Sequence, residues 1–212
     1  MPTIEWNKIW GKQIKAFGYP GELYGDRWGI PEEKKELSKF IDVYIKPHIK
    51  SNSKVLEIGP GGGRWTKYLL GAKEVILVEL NPEFFHYLIE RFKEDTFKFR
   101  FYQTSGYELE GIDAESIDFV FSFGTFVHID PEGIYEYLKN IKIVLKQEAI
   151  AVIQYSDKTK RNARENKGFS DMDPKKMEAF AKKLNLKILD HNTRLFDSSS
   201  IIVVQKIPID ET

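Results

Sequence analysis

The sequence predicts an α/β protein built on a doubly wound sheet of seven strands, mostly parallel with one antiparallel edge strand, and with helices on both faces. Strand and helix patterns alternate five times, which is typical of a parallel sheet covered on both sides. Two strand patterns then close the chain with no evident helix between them, which indicates an antiparallel hairpin. The 212 residues are enough for one substantial domain and its core.

Composition excludes several classes of protein. Lys and Arg number 32 and so do Asp and Glu, so no overall charge favours binding to nucleic acid or to a membrane surface. The chain has no cysteine, which rules out disulfides and thiolate chemistry. No apolar run approaches the roughly 20 residues that span a bilayer, and the first residues lack a signal-peptide core. We therefore expect a cytoplasmic protein, either a monomer or a homodimer.

The first thirty residues are rich in tryptophan, tyrosine and phenylalanine and are interrupted by glycine and proline. A short helix is predicted over residues 6–17. Residues 1–30 are expected to form an aromatic arm packed on the core or a lid over a ligand. Residues 31–212 are expected to form the main domain.

Further along, a helix pattern begins at Pro31 and ends or kinks at Pro47. Later helices are expected to begin near residues 64, 82, 131 and 174. Residues 157–173 are polar, and we expect them to be irregular. Strands are predicted at 54–58, 74–79, 98–102, 117–121, 149–155, 186–191 and 200–206.

The first strand runs directly into a glycine-rich turn. Val55, Leu56 and Ile58 suit a buried strand, and glycines at 59, 61, 62 and 63 follow. A strand, turn and helix in this order direct free backbone N–H groups at a ligand. A dinucleotide fingerprint needs Gly-x-Gly-x-x-Gly, but Arg64 stands where its third glycine would be.

The run Glu-x-Gly-x-Gly-x-Gly over Glu57, Gly59, Gly61 and Gly63 resembles the first motif of class I S-adenosylmethionine (SAM)-dependent methyltransferases. The resemblance covers nearly everything from about Pro31 onward. It implies a Rossmann-like sheet with the same closing hairpin, and a turn that passes under the methionine part of SAM. Glu57 is expected either to bond the ligand or to fix the loop.

The resemblance also implies a set of cofactor contacts at the strand ends. Glu79 ends the second strand, where a carboxylate can accept both ribose hydroxyls of SAM or equally of NAD. Ser105 stands where the family usually has an Asp that bonds adenine, so the backbone of the next two residues gains importance. The expected cofactor set is Glu57, Gly59, Pro60, Gly61, Gly63, Glu79, Leu80, Ser105, Gly106, Tyr107, Ser122 and Phe123.

His128 follows the fourth strand and is the candidate catalytic base. Its unperturbed pKa is near ~6.5, and a base is useful when the methyl acceptor is a hydroxyl or a protonated amine. The alternative is a structural histidine that fixes the loop to Asp130. His48, His86 and His191 lie away from the strand tips and are interpreted as structural.

The expected acceptor residues lie in two stretches. N-terminal segments of the resembled family often close over SAM and acceptor, which indicates Tyr24, Arg27 and Trp28. Another wall of the acceptor pocket is expected at the end of the fifth strand, from Gln154, Tyr155, Ser156 and Asp157. Arg161 and Arg164 belong to a basic run over residues 158–167 that is either a solvated face or a loop that meets an anionic acceptor.

We therefore predict transfer of a methyl group from SAM to a small-molecule or glycan acceptor, possibly anionic, on oxygen rather than nitrogen. The alternatives are N-methylation of a small amine, hydride transfer with NAD(P), and a catalytically silent SAM-binding protein. Arg64 and the lack of a Tyr-x-x-x-Lys pair count against NAD(P). No metal site is expected, although Asp130 and Asp157 could meet and bind magnesium.

Overall fold

The computed structural model describes residues 7–11, 25 and 28–208. In this part of the chain seven strands form one sheet in the order β3-β2-β1-β4-β5-β7-β6. The predicted seven-stranded doubly wound architecture is thereby confirmed. The strands are β1 (Lys54–Ile58), β2 (Glu74–Glu79), β3 (Phe99–Gln103), β4 (Ile117–Ser122), β5 (Leu145–Ser156), β6 (Leu186–Asn192) and β7 (Ser199–Lys206).

β1 pairs in parallel with β2 on one side and with β4 on the other. β7 is antiparallel to both of its neighbours, β5 and β6. The predicted closing hairpin is therefore present, and its antiparallel strand lies one place in from the edge. The strand order reverses between β1 and β4, and ligands of doubly wound sheets bind beyond the carboxyl ends of the strands at such a point.

Five α-helices are found among the described residues, together with short 3-10 turns. They are α1 (Lys35–Tyr44), α2 (Glu83–Arg91), α3 (Pro131–Val144), α4 (Arg161–Glu165) and α5 (Pro174–Lys183). Asp130 caps α3 by accepting from the backbone N of Gly133 at 2.7 Å, and Asp173 caps α5 by accepting from that of Lys176 at 2.9 Å. No helix within the described ranges is long and apolar enough to cross a bilayer.

Two hydrophobic cores lie on opposite faces of the sheet because neighbouring strand residues point to opposite sides. Val55 belongs to the core that contains Phe40 of α1. Leu56, the next residue, belongs to the core that contains Leu138 of α3. The hydrophobic residues of α1 therefore pack on one face of the sheet, and those of α3 pack on the other.

The structure differs from the predictions in two places. The helix expected near Arg64 is only a 3-10 turn at Thr66–Tyr68, where the Thr66 hydroxyl is held on the buried Glu57 carboxylate at 2.7 Å. The segment expected to be irregular contains α4. Lys158, which precedes this helix, holds its C-terminal end: its Nζ donates to the main-chain oxygens of Ala163 (2.8 Å) and Asn166 (3.1 Å).

Candidate active site

A cavity of about 610 Å³ lies beyond the carboxyl ends of β1, β2 and β4. Its volume is in the range typical of small-molecule and cofactor sites. Predicted residues that line it are Trp28, Gly59, Pro60, Gly61, Glu79, Leu80, Gly106, Tyr107, Phe123 and His128. The topology therefore brings the glycine turn, three strand tips and the candidate base together.

The glycine turn is packed so closely that side chains would not fit. Gly59 has φ +72°, and a Cβ there would lie 2.0 Å from Thr125 Oγ1. Gly63 has φ +84°, and a Cβ there would lie 2.6 Å from the ring of Phe92. Both positions need glycine for conformation and for space. Gly59 and Gly61 line the cavity, whereas the predicted Gly63 packs on Phe92 and does not line it.

Glu57 does not line the cavity. Its side chain is buried and accepts a hydrogen bond from the Thr66 hydroxyl. Desolvation, with a further contribution from the charge of Glu79, raises the pKa of Glu57 to about 8. Of its two predicted roles, the contacts support fixing the loop.

Glu79 faces the cavity at the end of β2. One carboxylate oxygen accepts from the backbone N of Gly61 at 3.2 Å and the other from that of Asn81 at 3.0 Å. Burial outweighs these bonds and raises the pKa of Glu79 to about 7. Such a carboxylate still has lone pairs for ligand hydroxyl groups.

The two predicted serines do not reach the cavity with their side chains. Ser105 is exposed, and its hydroxyl donates to Glu108 Oε1 at 2.8 Å. Ser122 is buried, and its hydroxyl donates to the main-chain oxygen of Ile58 at 2.8 Å, which ties β4 to β1. The corresponding parts of the wall come instead from Gly106 and Tyr107, and from Phe123.

His128 lies at the far side of the cavity. Its Nδ1 is 2.9 Å from the main-chain oxygen of Gly168, and since a carbonyl only accepts, Nδ1 is the donor. Burial lowers the pKa of His128, partly offset by this bond. Two aromatic rings flank the imidazole, with centroids at 5.2 Å for Trp10 and 5.4 Å for Phe169. The structural alternative names the wrong partner, since His128 bonds the Gly168 oxygen whereas Asp130 caps α3 and accepts from Tyr107.

The interpretation of the other histidines as structural fits their surroundings. The ring of His48 stacks on Phe119 with centroids 5.2 Å apart. His86 lies 3.6 Å from Glu90, one turn along α2. His191 bridges the hydroxyl of Tyr155 and a carboxylate of α5.

The prediction that Tyr155 forms an acceptor wall is wrong. Its side chain is fully buried in the core under α3, and its hydroxyl lies 2.6 Å from His191 Nε2. Because successive strand residues alternate, it is Gln154 that faces the cavity. Gln154 accepts from the backbone N of Gly124 and donates to Ser199 Oγ, both at 2.7 Å.

Arg161 and Arg164 do not line the cavity either. Arg161 pairs with Glu165 at 2.7 Å while its side chain remains 82% exposed. Arg164 donates to the main-chain oxygens of Lys158 and Thr159. These two arginines therefore bond within their own segment, and the residues of this segment that reach the cavity are Asn166 and Phe169.

The N-terminal part of the chain meets the cavity at two points. Tyr24 and Arg27 lie outside the described residues. Trp28 lines the cavity mouth, and its main-chain oxygen accepts from Arg64 Nη2 at 3.0 Å. Asn7 and Trp10 line the opposite part. Periodicity could not reveal these two, although the density of tryptophan in this stretch was an available sign.

The pair considered for magnesium, Asp130 and Asp157, does not line the cavity. Asp130 caps α3. Asp157 accepts from Ser200 Oγ at 2.6 Å and from the Thr159 hydroxyl at 2.6 Å. Among the described residues, no group of three or more His, Asp or Glu side chains is arranged to hold an ion.

Comparisons with known proteins agree with this geometry. Residues 55–148 match a family model described as a methyltransferase domain. No curated protein sequence matches the chain. Among solved structures, a SAM-dependent methyltransferase from Clostridium acetobutylicum aligns with TM-score 0.67 and 15% identity over 96% of this chain and 98% of that one.

Two other solved structures show the same similarity. A SAM-dependent methyltransferase from Aquifex aeolicus aligns with TM-score 0.62 and 17% identity, over 93% of this chain and 98% of that one. A 1,6-didemethyltoxoflavin-N1-methyltransferase from Burkholderia thailandensis, with S-adenosylhomocysteine bound, aligns with TM-score 0.63 and 17% identity over 95% and 88% of the two chains. At such identities the likeness establishes the fold.

The fold is that of solved SAM-dependent methyltransferases of class I, and residues 55–148 match the methyltransferase-domain model. Both findings point to SAM as the cofactor. The residues present fit that cofactor, since a turn that cannot accept a Cβ at Gly59 lies beside the buried carboxylate of Glu79. These findings do not support the NAD(P) alternative.

Proposed function

We propose that the enzyme methylates a hydroxyl group of a small-molecule or glycan acceptor, with His128 as the general base. Bound SAM supplies a methyl group on a sulfonium, so that the reaction is an in-line displacement that depends mainly on alignment. In this proposal Glu79 binds the ribose, the turn at Gly59–Gly63 lies under the methionine end, and Gly106 and Tyr107 form the adenine wall.

The observation that carries the proposal is the bond between His128 Nδ1 and the Gly168 oxygen. In a neutral imidazole whose Nδ1 bears the proton, Nε2 carries the lone pair. The lowered pKa keeps the ring neutral near pH 7. In this proposal Nε2 takes the proton of an acceptor hydroxyl as the oxygen bonds to the methyl carbon.

The wall around His128 favours an acceptor without charge near the reacting oxygen. It consists of the rings of Trp10 and Phe169 and the amide of Asn166. Aromatic faces suit a flat ring or the C–H face of a sugar. The basic side chains that would favour an anion, Arg161 and Arg164, bond to their own segment instead.

We further propose that the N-terminal part acts as a lid on the main domain over residues 31–212. Arg64 follows the glycine turn. It donates through Nε to the main-chain oxygen of Gly29 at 3.1 Å and through Nη2 to that of Trp28 at 3.0 Å. Gly25 lies against Arg64, since a Cβ at Gly25 would be 3.3 Å from Arg64 Cβ. Gly25, Trp28 and Gly29 are thus joined to the cofactor turn, and residues 7–11 to the base.

The test is methyl transfer from isotope-labelled SAM to a panel of uncharged phenols, pyranosides and small amines, with wild type and His128→Gln. We expect a hydroxyl compound to be labelled, and His128→Gln to reduce kcat about 10²- to 10⁴-fold. The affinity for S-adenosylhomocysteine should stay within about threefold of wild type. Labelling of amines alone would contradict the proposal, as would full activity of His128→Gln.

A further inference from the structure

Residues 7–11 form a helical turn that joins the ends of two strands that do not touch each other. β2 and β4 flank β1, so their ends are about 10 Å apart. Beyond β2, the side-chain Nδ2 of Asn81 donates to the main-chain oxygen of Asn7 at 3.3 Å. Beyond β4, the main-chain oxygen of His128 accepts from Asn7 Nδ2 at 2.8 Å. Asn7 therefore links the cofactor side of the cavity to the loop of the candidate base.

Two more contacts come from the same face of this turn, since residues three and four positions apart lie together on a helix. Trp10 packs against the imidazole of His128. A Cβ on Gly11 would lie 2.9 Å from Asn81 Oδ1 and 2.9 Å from Glu83 Oε2. The absence of a side chain at Gly11 is what allows the turn to come this close.

The bonds form a connected series from the cofactor carboxylate to the base. Asn81 donates through its backbone N to Glu79 and through its side chain to Asn7. Asn7 in turn donates to the main chain of His128. The ring of His128 is oriented separately by Gly168, so that Asn7 fixes the main chain while Gly168 fixes the imidazole.

We propose that Asn7 is a positioning residue, which holds the main chain of His128 at a fixed distance from Glu79 and acts on methyl transfer only through that histidine. The inference rests on the proposed role of His128 as the base. Alignment is the main requirement of this chemistry, and a displacement of about 1 Å can reduce a rate on the order of 10²-fold.

Substitutions at position 7 can separate the hydrogen bond from the shape of the side chain. Asn7→Asp is nearly isosteric, but it replaces the amide N–H donor with a carboxylate oxygen. Because a carboxylate and a carbonyl both only accept, the bond to the His128 main-chain oxygen is lost. Asn7→Ala removes the side chain. Gln205→Ala is the matched control. Gln205 lies on β7, away from the cavity, and its Nε2 also donates to a main-chain oxygen, that of Glu148, at 2.8 Å.

The experiment is an imidazole ¹H–¹⁵N spectrum of each full-length variant, recorded with and without S-adenosylhomocysteine. The chain has four histidines, and His128→Gln identifies the resonances of position 128. We expect Asn7→Asp and Asn7→Ala to shift or broaden the His128 resonances while those of His48, His86 and His191 stay in place. Gln205→Ala should change none of the four.

His128 resonances that match wild type in both Asn7 variants would overturn the proposal. The spectra without ligand test Asn7 even if the enzyme methylates no hydroxyl compound, so this failure is distinct from failure of the proposed function. With an acceptor in hand, Asn7→Asp should lower kcat about 10- to 100-fold and leave the KM for SAM within about twofold. A purely structural role would instead lower the melting temperature and shift all four histidines.

Discussion

The two ends of the cavity are built in different ways. The cofactor end consists of backbone and strand tips, as in the turn at Gly59–Gly63 and the carboxylate of Glu79. The acceptor end consists of side chains from segments without regular periodicity, as in Trp10, Asn166 and Phe169. The difference teaches that substitutions at the first end should affect folding and cofactor affinity, whereas those at the second should affect turnover.

The largest effect is expected at Gly59, where the turn meets the β4 loop. Gly59→Ala places a Cβ 2.0 Å from Thr125 Oγ1 at a positive φ, so we expect the melting temperature to fall by more than about 10 °C, the shift for roughly 3 kcal/mol or more. Thermal unfolding checks this. Gly111→Ala is the control, because it has φ +86° but an ordinary contact of 3.6 Å with Tyr102, and it should cost only about 1–3 kcal/mol. Equal losses for the two variants would contradict the packing argument.

A smaller effect is expected at Glu79, the carboxylate proposed to bind the ribose. Glu79→Gln keeps the size of the side chain but removes charged hydrogen bonds, and it should weaken S-adenosylhomocysteine binding at pH 8 by about 1–3 kcal/mol, or about 5- to 150-fold. Calorimetric titration measures it. Arg100→Gln provides a control on the neighbouring strand β3, where its side chain is exposed and bonds the main-chain oxygen of Gly111. An unchanged affinity of Glu79→Gln would mean that this carboxylate does not bind the ribose.

Glu57 should make the stability of the ligand-free protein depend on pH. Its folded-state pKa is raised to about 8, so its contribution to stability is fully present below the unfolded pKa of about 4.3 and is lost as pH rises through about 8. Glu57→Gln, whose amide oxygen can still accept from Thr66, should match wild type at pH 4. At pH 9 it should melt about 4–8 °C higher, the shift for roughly 2 kcal/mol at this chain length.

The smallest effect is expected in the basic run. Arg161→Glu changes a side chain that is 82% exposed and does not line the cavity. We expect S-adenosylhomocysteine affinity and acceptor KM at low salt to stay within about twofold of wild type. A large rise in acceptor KM would restore the anionic-loop hypothesis and would count against the uncharged acceptor.

The sequence predicted most of the residues that line the cavity at the glycine turn and the strand tips, because strand periodicity, glycine spacing and acidic strand tips are local features. It missed details that depend on which way a side chain points. Gln154 and Tyr155 were both expected in the acceptor wall, and only the register of β5 decides that, of the two, Gln154 faces the cavity. Ser105 and Ser122 were expected to contact the cofactor. Their hydroxyls instead donate within the protein, to Glu108 and to the Ile58 carbonyl respectively.

The acceptor end was harder to predict because its contacts are long-range. Nothing in the local sequence of Asn7 indicates that it bonds the main chain of His128, 121 positions away. The basic run was interpreted partly as an anion-binding loop, since charge is visible in a sequence but intramolecular partners are not. Lys160, for example, donates to the main-chain oxygens of Phe196 and Ser199.

The most direct test of the central claim, that the cavity at the switch point is a SAM site, is calorimetric titration of the wild-type protein with S-adenosylhomocysteine and, separately, with NADH. The account predicts saturable one-to-one binding of S-adenosylhomocysteine, weakened in Glu79→Gln, and no binding of NADH. Saturable binding of NADH with no heat from S-adenosylhomocysteine would contradict it.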